Sequence, residues 1–349
     1  RFAVMAEGFL RETVGAWPAL RFEEAQRVLF NAVLPALGGT KVVPRWGFGP
    51  HLIYLVGGQG AGGDLSTVEL YNPQNASWTQ RAAMADTRAY HGCVTLEGKL
   101  YVVGGYGATD QTLDTAEVYD PQTDGWQPLP KMTTARSGLG LAAVGGKIYA
   151  TGGYNGGILE SVEAYDPQLG AWALVASMSG KRSYHASVVL DGKIYAMGGD
   201  GGRTSQPMLN TVEVYNPQTN SWQQAASMPG AGMFMHAAAA MGGKIYVTGG
   251  AIKFSLTLVH DATLVYDPLV DIWTQLASMS IARRQHASAV VGGKLCVFGG
   301  RGQIDYDDDD FGGYDDNLST AEVYDPASDS WVQGLSLTSP RHSMVAVAL

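Results

Sequence analysis

The stretch Ala116-Glu-Val-Tyr-Asp-Pro121, followed by Trp126, decides how this chain of 349 residues folds. Its elements occur six times: a tyrosine, then Asn-Pro or Asp-Pro, then a tryptophan seven residues after the tyrosine. The six pairs are Tyr71 and Trp78, Tyr119 and Trp126, Tyr165 and Trp172, Tyr215 and Trp222, Tyr266 and Trp273, and Tyr324 and Trp331. An apolar run ending in two glycines precedes each tyrosine, and these doublets begin 46 to 51 residues apart. A repeat of this length is typical of propellers and solenoids.

Each repeat predicts four antiparallel strands. In the second repeat an apolar strand ends at Gly104-Gly105, a strand over 116–119 follows, Trp126 opens a third, and small residues over 138–144 form a fourth. Tyrosine and tryptophan supply apolar area between neighbouring sheets. A ring of such sheets leaves no long open edge, which is how propellers avoid strand-edge aggregation.

The repeats therefore predict an all-β fold, a six-bladed β-propeller over 51–349. The pattern begins with a second-type strand at 51–56 and ends with an inner-type strand at 342–349. We expect the C-terminal strand to complete the first blade and close one domain, because a single repeat cannot bury its own faces.

Residues 1–40 do not follow the repeat. Apolar residues recur at helical spacing with charged residues between them, which predicts an amphipathic helical segment. The apolar positions are Phe22, Ala25, Val28, Leu29, Ala32 and Val33. This segment either packs on the propeller or ends a helical domain that precedes it.

The net charge of −9 is concentrated in one loop. Residues 305–316 contain seven aspartates and no lysine or arginine, so the remaining residues carry −2, the difference between −9 and −7. This distribution argues against a general nucleic-acid binder, which would present a basic face. Cys93 and Cys296 lie in apolar strand runs and are too few for a disulfide framework or a cysteine zinc site. Because no apolar run has the length of a membrane span and no signal peptide is recognisable, we expect a cytoplasmic protein without a membrane partner.

The glycine doublet, the Tyr-[Asp/Asn]-Pro turn, the following tryptophan and the loop Met132-Thr-Thr-Ala-Arg136 resemble the kelch-repeat family over about 51–349. The resemblance implies four-stranded blades around a central channel. In six-bladed relatives the propeller often follows BTB and BACK segments and recruits substrates to a cullin-RING ubiquitin ligase. The run 27–37 is similar to the last BACK helix. Other kelch proteins bind actin or act as scaffolds, and a few are enzymes.

Arginine recurs in the loop that leads from the outer strand of one blade to the inner strand of the next. The positions are Arg88, Arg136, Arg182, Arg283 or Arg284, and Arg341, with Ser137 and Ser183 following two of them. Guanidiniums converging on the channel entrance would bind carboxylates or phosphates. In kelch substrate receptors these positions bind acidic peptides, and residues matching Tyr106, Tyr154 and Asn155 line the same pocket. The alternative is that the arginines form hydrogen bonds within or between blades.

Two blades depart from the pattern, and one loop is enlarged. In the fourth blade the loop Met228-Pro-Gly-Ala-Gly-Met-Phe-Met-His236 lacks the arginine. In the fifth blade Leu264 replaces the glutamate found in the other five. We expect these blades to contribute less to a shared polar site. The acidic insertion 305–316 either stays solvated, mimics an acidic ligand over the channel entrance, or recruits a basic partner.

Histidine follows the arginine by three residues in three blades, as His91, His185 and His286, and His236 takes the same place in the fourth. A cluster of imidazoles suggests a metal site. Because symmetric positions around a six-bladed ring lie too far apart for one ion, and Leu139 and Met344 fill the same place elsewhere, we interpret the position as packing.

The sequence favours a protein-interaction module without a cofactor. We expect the protein to bind an acidic or phosphorylated peptide of a partner as the substrate receptor of a cullin-RING ligase. The alternative is a cytoskeleton-associated scaffold. We expect no enzyme, because the cysteines do not fit a copper site with a Cys-Tyr crosslink and the chain lacks the iron motif of kelch specifier proteins. A sugar mutarotase remains the less favoured alternative.

Overall fold

The computed structural model describes residues 52–108, 111–202, 208–252, 258–303 and 317–349, all within one unit, Pro50–Leu349. These residues form strands, turns and loops and no helix. None of the described residues forms a helix long and apolar enough to span a membrane. The predictions made for 1–40 and for the acidic insertion 305–316 lie outside the described residues.

Six antiparallel sheets of four strands form the blades of the propeller, which confirms the predicted fold class. We call the four strands a to d, from the channel outwards. Blade one contains β28 (Val345–Ala348), β1 (Ile53–Val56), β4 (Val68–Asn72) and β5 (Ser77–Arg81). Blade two contains β6 (Gly92–Leu96), β7 (Lys99–Val103), β10 (Ala116–Asp120) and β11 (Gly125–Leu129). Blade three contains β12 (Gly140–Val144), β13 (Lys147–Thr151), β14 (Val162–Asp166) and β15 (Ala171–Val175).

The remaining three blades have the same architecture. Blade four contains β16 (Ala186–Leu190), β17 (Lys193–Met197), β18 (Val212–Asn216) and β19 (Ser221–Ala225). Blade five contains β20 (Ala237–Met241), β21 (Lys244–Thr248), β22 (Thr263–Asp267) and β23 (Ile272–Leu276). Blade six contains β24 (Ala287–Val291), β25 (Lys294–Phe298), β26 (Ala321–Asp325) and β27 (Ser330–Gln333). Two short hairpins, β2 (Gln59–Gly60) with β3 (Gly63–Asp64) and β8 (Tyr106–Gly107) with β9 (Gln111–Thr112), extend from b–c loops.

The inner strands form a closed ring. Each a strand contacts the a strand of the next blade, and β24 contacts β28 to complete the circle. Strand β28 pairs with β1 from Val56↔Val345 to Ile53↔Ala348. The backbone N–H of Leu52 and the carbonyl of Leu349 extend this pairing at 3.1 Å. The last strand of the chain therefore supplies the inner strand of blade one.

The repeated tyrosine and tryptophan join neighbouring blades. Tyr119 and Trp126 lie opposite each other on strands c and d of blade two, with ring centroids 5.1 Å apart. The indole N–H of Trp126 donates to the carbonyl oxygen of Ala82, at the end of blade one, at 2.8 Å. The same indole bond occurs at all six boundaries, and the apolar clusters combine residues of adjacent blades. The motif that identifies the repeat therefore packs one blade on the next.

Candidate functional site on the loop face

The b–c and d–a loops emerge together at one face of the propeller, which we call the loop face. At each boundary, the residue after the repeated arginine, or after Met233 where the arginine is missing, forms a β-bridge with the residue after the glycine doublet. The six bridges are Ala89↔Tyr106, Ser137↔Tyr154, Ser183↔Asp200, Phe234↔Ala251, Arg284↔Arg301 and Gln59↔His342. These bridges fix the start of every b–c loop against a neighbouring d–a loop, so side chains at these positions are held on a rigid frame.

The glycine doublets permit this close approach of two backbones. Gly104 has a φ of +64°, and a Cβ atom there would lie 2.4 Å from the carbonyl oxygen of Arg136. The N–H of Gly105 donates to that same oxygen at 2.8 Å. A residue with a side chain at this position would therefore break the contact between the two loops.

The repeated arginines are buried, which corrects the prediction that they line the channel entrance. The side chains of Arg88, Arg136, Arg182, Arg283 and Arg341 are at most 2% exposed. Each forms an ion pair with a glutamate on strand c of the next blade. The pairs are Arg88 with Glu117, Arg136 with Glu163, Arg182 with Glu213, Arg283 with Glu322, and Arg341 with Glu69.

The guanidinium of Arg182 uses its donors within the propeller. Its Nε and Nη2 donate to Glu213, and its Nη1 donates to the carbonyl oxygens of Gly198 and Thr211 at 3.0 and 2.9 Å. Nη2 also donates to the hydroxyl of Thr211. Burial lowers the pKa of Arg182, whereas the charge and hydrogen bond of Glu213 act in the opposite direction. The arginines join blades, which is the alternative that the sequence left open.

Arg283, and not Arg284, is the blade-five member of this set. Arg283 donates to the carbonyl oxygen of Gly299 and pairs with Glu322. Arg88, Arg136 and Arg182 donate to the equivalent glycine carbonyl. Arg284 lies in the bridge position, is 1% exposed, and donates to the carbonyl oxygen of Gly302 at 3.1 Å. Ser137 and Ser183 occupy the same bridge position and are 3% and 1% exposed. Neither of these serines presents its side chain at the surface as predicted.

The backbone forms a closed ring of hydrogen bonds around the axis. Six residues with φ between 52° and 58° lie just before the a strands: Tyr90, Gly138, Tyr184, Met235, Gln285 and Ser343. Each N–H donates to the carbonyl oxygen of the preceding member, and Tyr90 donates to Ser343 at 3.1 Å to close the ring. A cavity of about 110 Å³ on the axis is lined by these residues and those that follow them.

The four histidines beside this cavity are buried and neutral. Burial is the main cause that lowers the pKa of His91 and His185 to about 3 and that of His236 to about 4. Threonine hydroxyls contact two of the rings, with Thr248 Oγ1 2.8 Å from Nε2 of His286. Within the described ranges, no group of three or more histidine, cysteine or acidic residues could hold a metal ion. The interpretation of this position as packing stays a prediction.

Aromatic side chains surround the channel entrance on the loop face. The ring of Tyr184 meets that of Tyr90 edge to face, with centroids 5.5 Å apart, and lies 6.5 Å from that of Phe234. Burial raises the pKa of Tyr184 to about 12, and Tyr90, Tyr154, Asp200 and Tyr106 add to the increase. We call Tyr90, Tyr106, Tyr154 and Tyr184 the tyrosine cluster. It covers the side of the entrance formed by blades two to four.

The predicted site residues on the b–c loops are accessible. Tyr154 is 41% exposed, Asn155 is also exposed, and Tyr106 is half-buried. The structure thus separates the predicted site into a buried set of arginines and serines and an accessible set on the b–c loops.

Family models match most of this propeller. The model described as the KLHDC2/KLHL20/DRC7 Kelch-repeats domain matches residues 38–199 and 176–300, and the Kelch motif matches residues 282–334. The chain belongs to the kelch-repeat family. The family resemblance drawn from the repeats is therefore confirmed.

Two curated kelch relatives match only segments of the chain. Kelch-like protein 26 of Mus musculus is 33% identical over 93 residues, which are 27% of this chain and 13% of that protein. Alpha-scruin of Limulus polyphemus is 32% identical over 117 residues, which are 32% of this chain and 12% of that protein. The matched part thus spans about an eighth of each relative's length.

A solved structure corrects one functional expectation. The structure titled "Structure of YjhT" superposes with a TM-score of 0.66 and 17% identity, covering 82% of this chain and 95% of the other. Likeness at this identity shows the fold alone, and one fold can carry binding or catalytic sites. The expectation from the sequence that this protein is not an enzyme is therefore wrong, because the fold does not exclude catalysis.

Sequence reasoning missed three residues of the kelch loop face. Tyr90 and Tyr184 stand between the repeated arginine and histidine, in Arg88-Ala-Tyr-His91 and Arg182-Ser-Tyr-His185. Their recurrence indicates an equivalent position on the loop face, because the arginine and the histidine on either side of each tyrosine are themselves equivalent. Asp200 directly follows a glycine doublet, in the place of Tyr106 and Tyr154, and no other blade has an acidic residue there.

Proposed function

We propose that this protein is a protein-interaction module that binds a segment of a partner protein on its loop face, at the tyrosine cluster. The observation that carries the proposal is the contrast between Tyr154, which is 41% exposed, and the repeated arginines, which are buried. Tyrosines dominate the energetics of many interfaces, since each offers a large rigid surface and a polar hydroxyl. The rigid bridges and the backbone ring below them limit the entropy that binding would cost.

We further propose that the protein delivers this partner to a cullin-RING ubiquitin ligase. This finer assignment rests on kelch membership and on the segment similar to Kelch-like protein 26. A preference for acidic or phosphorylated segments would need accessible cations. The repeated arginines do not meet this need, because their guanidiniums are paired with glutamates.

A second candidate, a cytoskeleton-associated scaffold, is favoured by apolar side chains on the outside of blade five. Leu269, Val270 and Ile272, in and after the c–d turn, are 89%, 61% and 56% exposed. Exposed apolar groups that lie together are typical of contact surfaces. The matched segment of alpha-scruin is the comparison that agrees with this candidate.

The two candidates are separated by paired variants in one pull-down from native lysate with mass spectrometry. One variant carries Tyr106→Ala and Tyr154→Ala in blades two and three, and its matched control carries Leu269→Ser and Ile272→Ser on the outside of blade five. We expect at least tenfold lower recovery of specific partners with the tyrosine variant and unchanged recovery with the control.

The identity and behaviour of the recovered proteins decide the outcome. A cullin recovered with the wild type and both variants would support the ligase assignment. Cytoskeletal proteins lost only with the blade-five variant would replace it with the scaffold. Equal recovery of every partner with the tyrosine variant would refute binding at the loop face. Circular dichroism must show that both variants are folded.

A further inference from the structure

One buried carboxylate differs from all the others in the described ranges. Asp200 is 8% exposed and begins the b–c loop of blade four. The five buried glutamates each have an arginine within ion-pair distance. Asp200 forms no ion pair with another described residue, and its Oδ1 accepts a single hydrogen bond, from the N–H of Gly202 at 2.7 Å. Its Oδ2 has no hydrogen-bond partner among the described residues and is not among the enclosed oxygen atoms, so it is free to accept a donor from a ligand.

The groups around Asp200 are also incomplete. Its bridge partner, Ser183, has a buried hydroxyl without a hydrogen-bond partner among the described residues. Tyr184, the next residue, meets Tyr90 edge to face with ring centroids 5.5 Å apart. A carboxylate, a hydroxyl and two aromatic rings therefore lie together beside the channel entrance.

We propose that the tyrosine cluster and Asp200 accept a cationic side chain of the partner segment, a lysine ammonium or an arginine guanidinium. This inference rests on the proposed function, since it names the chemistry recognised at the same surface. The faces of tyrosine rings attract cations, and the attraction is stronger where the cation is desolvated. A carboxylate beside them adds a charge-assisted hydrogen bond.

The same groups disfavour the acidic ligand that the sequence predicted. An acidic side chain placed against the tyrosine cluster would face the carboxylate of Asp200 and the electron-rich faces of the rings. The nearest repeated arginine, Arg182, is already paired with Glu213 at 2.9 Å. Selectivity for a cation therefore arises both from attraction and from rejection of the opposite charge.

The test uses small probes with the complete chain. N-acetyl-lysine methylamide is titrated and followed by NMR of the tyrosine rings, in parallel with its norleucine and aspartate counterparts. We expect the lysine probe to bind at least tenfold more tightly than either counterpart. The Asp200→Asn variant, which keeps the acceptor for Gly202, should weaken lysine binding at least tenfold. Asp191→Asn is the matched control, because Asp191 is an exposed aspartate in the a–b turn of the same blade.

A stability measurement keeps the inference independent of folding defects. If Asp200 serves binding and not folding, Asp200→Asn removes a charge without a counter-ion. The variant should then have a melting temperature equal to or higher than that of the wild type. A lower melting temperature would assign Asp200 a structural role and overturn the inference. Equal affinity for the lysine and norleucine probes, or tighter binding of the aspartate probe, would also overturn it.

The outcomes for the inference and for the proposed function can be told apart. If Tyr106→Ala with Tyr154→Ala abolishes partner recovery but Asp200→Asn does not weaken it, the loop face binds partners without the cation. If neither change affects recovery, the proposed function fails as well. Arg203 follows Asp200 by three residues and lies outside the described residues, so Arg203→Ala is measured too. Retained lysine binding in that variant supports an external cation, and lost binding refutes it.

Discussion

The boundary between blades four and five is packed by different side chains from those at the other five boundaries. Met233 stands where the others have arginine, and Leu264 stands where they have glutamate. Both belong to one apolar cluster. The backbone contact is unchanged, since Gly199 N–H donates to the carbonyl of Met233 at 2.8 Å, as Gly153 N–H does to that of Arg182.

A third residue at this boundary changes together with the other two. In four boundaries the glutamate accepts the N–H of the residue after the loop methionine, as Glu213 accepts that of Ser179 at 2.7 Å. In blade four this residue is Pro229, which has no N–H to donate. At this boundary the arginine, the glutamate and the backbone donor are thus all replaced together. Where the chain closes, Arg341 pairs with Glu69, and the glutamate accepts the hydroxyl of Thr338 instead of a backbone N–H.

The largest loss of stability should come from removing one partner of an ion pair and leaving the other. We expect Arg182→Met to lower the free energy of unfolding by about 3–5 kcal/mol, because Glu213 would keep a buried charge without its partner. Urea unfolding measures the change. Met233→Leu is the matched control at the apolar boundary, where we expect a loss below about 1.5 kcal/mol.

The double variant Arg182→Met with Glu213→Leu decides whether the two kinds of boundary are equivalent. We expect it to recover most of the loss, leaving a deficit of about 1–3 kcal/mol because Ser179 N–H would lack its acceptor. If the double variant is as unstable as the sum of the single changes, the boundaries are not interchangeable and the comparison is wrong.

The same comparison shows what the sequence could and could not provide. The six repeats determine the fold, because each carries its tyrosine, tryptophan and glycines at fixed spacing. Recurrence also identified Arg182 and Glu213 as special, but it did not show that they face each other, since they lie 31 residues apart in different blades. The sequence does contain one indication of this pairing: the arginine is missing in blade four, at Met233, and the glutamate is missing in blade five, at Leu264. Asp200 occurs once, so no periodic pattern could reveal it.

The histidines should make stability depend on pH at four boundaries. Burial holds the pKa of His91 at about 3 in the folded protein, against about 6.5 when unfolded. The unfolded state therefore binds more protons between these values, and stability is lost as the pH falls from about 6.5. Each such histidine should contribute about 1.4 kcal/mol per pH unit within this range.

Replacing one histidine by the residue found at another boundary tests this prediction. His91→Leu should reduce the slope of unfolding free energy between pH 5 and pH 6 by about one proton. Leu139 occupies the equivalent place beside Gly104, so Leu139→Met should leave the slope unchanged. An unchanged slope in His91→Leu would mean that this histidine is already protonated or accessible in the folded state.

The smallest effect concerns the turns between strands c and d. In four blades an aspartate or asparagine with positive φ accepts two hydrogen bonds, from the tyrosine hydroxyl of its own blade and from a backbone N–H of the preceding blade. Asp124 does so from Tyr119 and Ala82, at 2.5 and 3.0 Å. Blade three has Gly170 here, and the backbone opposite is Pro130, which has no N–H. Blade one has Ala76, with a φ of 49°.

Ala76 is thus the one boundary position where a donor exists and the acceptor is missing. The indole of Trp78 donates to the carbonyl of Ser336, as the indole of Trp126 does to that of Ala82, so Ser336 and Ala82 are equivalent. Unlike Pro130, Ser336 has a backbone N–H. We expect Ala76→Asp to raise the free energy of unfolding by about 1 kcal/mol, because aspartate tolerates this φ and gains two donors. Gly170→Asp is the control and should stabilise less, since Pro130 offers no N–H. Equal gains in urea unfolding at both positions would show that the inter-blade bond contributes nothing.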